Sequence, residues 1–191
     1  MQAAPLSGGF ADPPVEAARA FRAALAAMAR PGRIERVAGV APPAPLSPAA
    51  GALLLTLCDT ETPLHLAGRH DTEAARAWIR FHTGAPLVPA GEAAFALGSW
   101  GALSPADRFA AGTPEYPDRS ATLIVEVDRL EAAGTTLSGP GIRERAALSL
   151  PDPAAFRANA ARFPLGWDAF LTSGERLAAV PRSTRIHGED G

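Results

Sequence analysis

The sequence predicts a layered α/β domain built on a mixed sheet. Three observations carry this reading: helical and strand patterns alternate through the first half, strand patterns cluster in the second, and the run Ala121 to Val127 is nearly all apolar, as a strand covered on both faces requires. No internal repeat and no linker interrupts the 191 residues, so one domain over 1–191 is expected, with an ordered core over about 10–186 and a polar C-terminal tail.

The first helix opens at Asp12, a favourable N-cap, with Pro13 at the first helical position and Glu16 in the first turn. Val15, Ala18, Phe21, Leu25 and Met28 recur at helical spacing, which predicts a core-facing stripe with Arg19 and Arg22 off it. Pro31-Gly32 stops the helix before a strand over 33–40, and four prolines within Ala41 to Pro48 make a stiff loop. Ser47 and Pro48 then open a second helix to about Cys58, with Leu53, Leu54 and Leu57 buried. A short strand over 64–67 precedes a third helix from Asp71 or Thr72 to His82. Ala74, Trp78 and Phe81 are its expected inward face, and Glu73 stands three residues before Arg76. Gly84 and Pro86 end it. Further strands are expected over 93–97, 121–127, 135–138 and 145–150, and a helix over about 153–163. A hairpin follows, with strands over 170–172 and 177–180 joined through Ser173-Gly174-Glu175.

Composition excludes several chemistries. All 18 basic residues are arginine, so no side-chain amine is present for a Schiff base, a pyridoxal phosphate anchor or a P-loop. One cysteine, Cys58, can form neither an internal disulfide nor a multi-thiolate cluster. A net charge of −2 gives no global attraction to nucleic acid or an anionic membrane. No basic residue precedes Arg19, and the longest apolar run, 49–58, is short for a bilayer, so a cytoplasmic protein is expected.

Candidate site residues are few. In Ser138-Gly139-Pro140-Gly141-Ile142, the glycines Gly139 and Gly141 let backbone amides approach an anion, and Arg143 and Arg145 follow closely. The competing reading is a tight turn with a solvated arginine pair, and Glu144 stands where a dinucleotide fingerprint needs glycine. His65, His70, His82 and His187 show no metal-binding spacing. His65 faces a site only if its strand edge lines a cleft, and His187 falls in the polar tail. Gly98-Ser99-Trp100-Gly101 resembles a serine elbow but has Leu97 where glycine is required. Cys58 reads as a buried thiol, and Asp59 with Glu61 as a solvated helix end. No catalytic set emerges.

Several stretches together resemble a family. Phe21 to Gly32, Leu53 to Asp59 with Thr62-Pro63, Arg80 to Leu87, Leu137 to Ile142, and Phe163 to Asp168 through Pro181-Arg182-Ser183-Thr184 are similar to the PhnH family, the H subunits of the bacterial carbon-phosphorus lyase system. The likeness runs from about Phe10 to Ile186, and departs mainly in the loops over 41–45 and 105–117. It implies a three-layer α/β/α sandwich with a mixed sheet, similar to the large domain of pyridoxal phosphate-dependent transferases but without that cofactor. It also implies an accessory, non-catalytic subunit of the core complex, without activity alone. The partners implied are the I subunit foremost, with G and J, and the isolated chain is implied to be a homodimer. The implied reaction is that of an alpha-D-ribose 1-methylphosphonate 5-triphosphate synthase complex, in which adenine is displaced from ATP by an alkylphosphonate. No cofactor, metal site or catalytic residue is carried over. Two alternatives stand beside this: a nucleotide or phosphonate site of the chain's own at Gly139, Gly141, Arg143 and Arg145, and a subunit that mainly buries apolar surface of a partner, which predicts an exposed hydrophobic patch.

Overall fold

Strands whose side chains alternate between two apolar faces organise the computed structural model, which describes residues 6–188. In chain order the elements are α1 (Pro13–Ala29), β1 (Glu35–Arg36), α2 (Pro48–Leu57), β2 (Leu64–Leu66), α3 (Glu73–Thr83), β3 (Phe95–Ser99), α4 (Trp100–Leu103), β4 (Thr122–Glu126), β5 (Thr135–Ser138), β6 (Ala146–Leu148), α5 (Pro153–Ala160), β7 (Asp168–Ser173), β8 (Arg176–Val180) and β9 (Arg185–Ile186). The main sheet has the order β1-β8-β7-β4-β3-β2. Strands β2, β3, β4 and β7 run parallel to one another, and β8 pairs antiparallel with both β7 and β1, so the sheet is mixed as expected.

One face of this sheet presents Leu97, Ile124, Phe170, Leu177 and Ala179 to α1, α2 and α3. The intervening residues Ala96, Leu123, Val125, Leu171, Ala178 and Val180 point the other way, where they meet Leu103, Leu137, Leu148, Phe156 and Ile186. That second layer differs from the helical one the resemblance implies. It is a small antiparallel sheet, β6-β5-β9, accompanied by the short α4 and α5. The aromatic residues divide in the same way. Trp78 is fully buried on the three-helix side, while Trp100, Phe156 and Trp167 form a cluster on the other, with ring centroids 5.0–5.8 Å apart.

Local chemistry accounts for the helix ends. Side chains of Ser47, Thr72 and Asp152 accept hydrogen bonds from the backbone N–H groups of Ala50, Ala75 and Ala155. Asp12 departs from this pattern: its side chain caps nothing, and its own N–H donates to the Glu16 carboxylate. Helix α2 is apolar almost all round because it lies between α1 and α3 above the sheet, and residues 49–54 are buried.

One expected face, on α1, is wrong, and a second, on α3, is right only in Trp78. On α1 the buried residues are Ala20, Ala24 and Ala27, whereas Val15, Phe21 and Leu25 are 43%, 51% and 58% exposed; of the expected stripe, Met28 alone packs against the core, and partly. The helix crosses β8 and α2, which offer it a surface rich in alanine and glycine, and close approach of these elements selects its own alanines. On α3 the inward residues are Ala75, Trp78 and Ile79, leaving Ala74 and Phe81 exposed. Arg76 bonds in bidentate fashion to Asp71 rather than to Glu73, which holds the Asp71 carboxyl below its usual range.

Boundaries shift elsewhere. The first strand shortens to Glu35–Arg36, and β3 ends two residues later than expected. Strand β9 has no counterpart in the sequence reading. It ties Ile186 beside Leu137, and the His187 N–H donates to Thr136 O, so His187 belongs to the folded core and not to a tail. Residues 189–191 of the expected tail lie outside the described residues. Order also begins before residue 10: Trp78 Nε1 donates to Ser7 O, and the Ala41 N–H donates to Gly8 O.

Candidate functional site

The carboxyl ends of parallel strands are where open α/β sheets gather ligands, because loops diverge there and leave a crevice. Here that edge holds a cavity of about 390 Å³ lined by Arg69, Ser99, Trp100, Glu126, Asp128 and Pro151, with Val127. Arg69 comes from the turn after β2, Ser99 from the end of β3, Trp100 from the start of α4, and Glu126 from the end of β4, where strand register sets it beside Ser99. Arg69 and Asp128 stand 3.9 Å apart and are well exposed, so their attraction is weak and both remain open to a polar ligand.

Glu126 is the unusual member. It is 8% exposed, and its carboxylate accepts from the Ser47 backbone N–H at 2.7 Å and from the Thr172 hydroxyl at 3.0 Å. Burial pushes its carboxyl above the ordinary glutamate range, and these donors, with Arg69 nearby, offset part of that rise. Both oxygens are thus engaged in tying the start of α2 to β4 and β7. The side chain is an architectural pin at the cavity floor more than a free base.

A pH dependence follows from this environment. A carboxyl whose folded value is raised keeps its proton in the native chain over a window where the unfolded chain has lost it, so stability falls as pH rises through that window. Glu126→Gln keeps one acceptor for Ser47 and one donor for Thr172 while removing the titration. The expected result, read by urea denaturation from pH 4 to 8, is that wild type loses stability relative to Glu126→Gln as pH rises. A difference that is flat, or that rises with pH, contradicts it.

The sequence-predicted residues fall elsewhere. Gly139 and Gly141 both adopt positive φ, +126° and +80°, and their glycine character answers to neighbouring backbone. A Cβ on Gly141 would lie 1.9 Å from Ala29 O, and one on Gly139 would lie 3.1 Å from Ser183 O. The Ile142 N–H donates to Gly139 O to close the turn, and Arg143 and Arg145 are exposed. Among the described residues these two arginines make no ion pair.

His65 is half-buried, with Nδ1 3.0 Å from Val88 O, beside a separate cavity that Asp71 and Arg76 also line. His70 is fully buried and neither ring nitrogen has a partner; burial and the adjacent Arg69 lower its pKa, which keeps it neutral. The His82 ring packs on Trp78 and Phe81. Ser99 has relaxed extended geometry (φ −69°, ψ 156°), unlike the strained residue of a nucleophile elbow. The Cys58 thiol is pushed up to about 12, first by burial and then by the Asp59 charge, and is protonated at neutral pH. Asp59 accepts from the Glu61 N–H and the Thr62 hydroxyl and does not pair with the Glu61 carboxylate.

Two constellations lay beyond the sequence reading. Ser138 Oγ and His187 Nε2 are 2.7 Å apart where β5 meets β9. Arg182 reaches Asp168, Ser120 Oγ and Pro117 O with one guanidinium. The segment Pro181-Arg182-Ser183-Thr184 was the only available signal for the second; for the first there was none, because the pairing depends on β9.

Among the described residues no cluster of His, Cys, Asp and Glu is arranged to hold a metal ion, and no helix is long and apolar enough to cross a membrane. Comparison with known proteins adds what geometry does not. The family described as bacterial phosphonate metabolism protein (PhnH) matches residues 8–187. The alpha-D-ribose 1-methylphosphonate 5-triphosphate synthase subunit PhnH of Rhizobium meliloti (strain 1021) is 44% identical over 192 aligned positions, covering 96% of each chain. The putative C-P lyase subunit protein HtxG of Stutzerimonas stutzeri is 37% identical over 82 positions, 40% of this chain and 42% of its own.

Proposed function

The chain belongs to the PhnH family of bacterial phosphonate metabolism proteins, and from that premise we propose that it is an accessory, non-catalytic subunit of a carbon-phosphorus lyase core complex. Its contribution is to support formation of alkylphosphonate ribose 5-triphosphate from ATP and an alkylphosphonate. The observation that carries this reading is near-full-length identity of 44% to a synthase subunit. The candidate cavity agrees with it: Glu126 is engaged by Ser47 and Thr172, and Ser99 has no hydrogen-bonded base beside it, so no activated nucleophile is assembled there.

The whole chain acts as one PhnH-like domain in the cytoplasm, with the I subunit as foremost partner, G and J beside it, and a second copy as partner in isolation. The likeness to the large domain of pyridoxal phosphate-dependent transferases is part of the same reading. Four parallel strands edged by antiparallel ones support it, and a chain without lysine forms no internal aldimine.

The test is reconstitution. The chain alone, incubated with ATP and methylphosphonate, is expected to release no adenine, and to become necessary for release once the I and G subunits and the ATPase-like L subunit are added. Turnover at the complex's rate by the isolated chain overturns the accessory role. Calorimetric titration of the isolated chain with ATP decides the alternative at Gly139, Gly141, Arg143 and Arg145: heat that disappears in Arg143→Ala/Arg145→Ala assigns that turn an anion site of its own.

A further inference from the structure

The outward face of α1 has no partner in the fold. Pro14, Ala18, Phe21 and Leu25 follow one another at spacings of four, three and four residues, the a/d rhythm of a helix that packs along a second helix, and Met28 carries the stripe into the core at its C-terminal end. Pro14, Ala18, Phe21 and Leu25 are exposed, and Val15 extends the apolar strip at its N-terminal end. Scattered exposed apolar residues are ordinary, but a continuous seam along a helix is not.

Charge decides what such a seam accepts. Arg19 and Arg22 lie along one flank, three residues apart and both exposed, and neither makes an ion pair among the described residues. The nearest acid on the helix, Glu16, is held by the Asp12 N–H. Beyond Arg19 a cavity of about 310 Å³ opens between α1 and the sheet-edge residues Arg36, Val37 and Gly39, giving that flank a recess. Two copies meeting in parallel through this face would set Arg19 and Arg22 against the same arginines, with Asp12 and Glu16, at the start of the helix, as the acids of that element. The narrow seam also differs from the wide apolar face that a lipid surface favours.

We infer that α1 docks an acidic amphipathic helix of another protein subunit, its apolar seam lying along Ala18, Phe21 and Leu25 and its carboxylates on Arg19 and Arg22. Guanidinium suits this position because it pairs bidentately with carboxylate and covers apolar surface with its stem. This docking rests on the chain working as a subunit of a complex. Self-association of the isolated chain then uses another surface.

Two measurements test it on the full chain. In the first, a labelled synthetic three-heptad helix with leucine seams and glutamate flanks is titrated against wild type, Phe21→Ser/Leu25→Ser and Arg19→Glu/Arg22→Glu. Binding is expected to weaken about tenfold or more in each variant, and a lysine-flanked version of the peptide is expected to prefer the charge-reversed variant. All four substituted side chains are exposed, so thermal melts of the variants should match wild type. In the second, the same proteins are co-expressed with the I, G and J subunits, and stripe variants are expected to be lost from a complex that retains wild type.

If wild type and variants co-purify equally, the docking is overturned while the subunit reading stands. If wild type fails to co-purify yet binds the acidic peptide, the subunit reading fails and the docking chemistry stands. Equal binding of both peptides to wild type overturns the docking. So does a stripe variant whose only change is conversion of a dimer to a monomer, or loss of binding to phosphatidylserine vesicles.

Discussion

Replacing Gly141 by alanine is expected to destabilise the domain by about 4 kcal/mol, summing a residue forced to hold positive φ with overpacking against rigid backbone. At φ +80° the new Cβ would sit 1.9 Å from the Ala29 carbonyl oxygen, at the end of α1, so relief requires the turn and the helix to separate. Gly174 supplies the control. It also has positive φ, +58°, but nothing lies within 4 Å of the position a Cβ would take, so Gly174→Ala is expected to cost only about 1 kcal/mol. Urea denaturation of the two variants separates backbone strain from lack of room. Equal losses would show that the turn does not press on α1.

The second large effect belongs to Arg182. Its guanidinium is mostly buried and bonds to Asp168, Ser120 and Pro117, so one side chain joins the start of β7 to the loop before β4. Arg182→Met leaves the Asp168 carboxylate with the Arg182 backbone N–H as its remaining donor and is expected to cost about 3 kcal/mol. Arg182→Lys should recover little, because an ammonium cannot reproduce the fork that meets Asp168 and Ser120 together. Adding Asp168→Asn to Arg182→Met should return part of the loss, since the unpaired charge is then gone. If Arg182→Met melts with wild type, the hub contributes specificity of geometry alone.

How far the sequence could be read depends on the range of the interactions involved. Helix starts are settled within three residues: the structure has the cap at Ser47 where the sequence puts it, and of the two candidates Asp71 and Thr72 it uses Thr72. The run ending at Glu126 reads as a doubly covered strand because its own apolar residues say so. Which face of α1 turns inward is a different matter, since it depends on β8 and α2 being small enough to admit alanines. Periodicity alone selected the larger residues Phe21 and Leu25 and so chose the wrong side. The alternation of helix and strand patterns gave the mixed sheet, but the β6-β5-β9 layer rests on a two-residue strand too short to leave a pattern.

The candidate site was less legible for the same reason. Glu126 is an ordinary strand-end glutamate until Ser47 and Thr172, 79 and 46 residues away, close on it. The glycines at 139 and 141 were visible because positive φ selects residue type locally. What presses on them, the end of α1 and the stretch 183–185, was not. Arg143 and Arg145 stand exposed without carboxylates, which sequence spacing could neither predict nor exclude.

The division of tryptophans across the sheet makes the chain its own two-channel indicator. Trp100 borders the cavity at the strand ends with its ring centre 5.8 Å from that of Trp167, whereas Trp78 is buried on the helical side with its indole N–H on the Ser7 carbonyl. Emission from the first pair is expected to change if something enters the crevice, and emission from the lone indole if the bond to Ser7 is broken. Occupancy and unfastening are then expected to register at different indoles of the unlabelled protein.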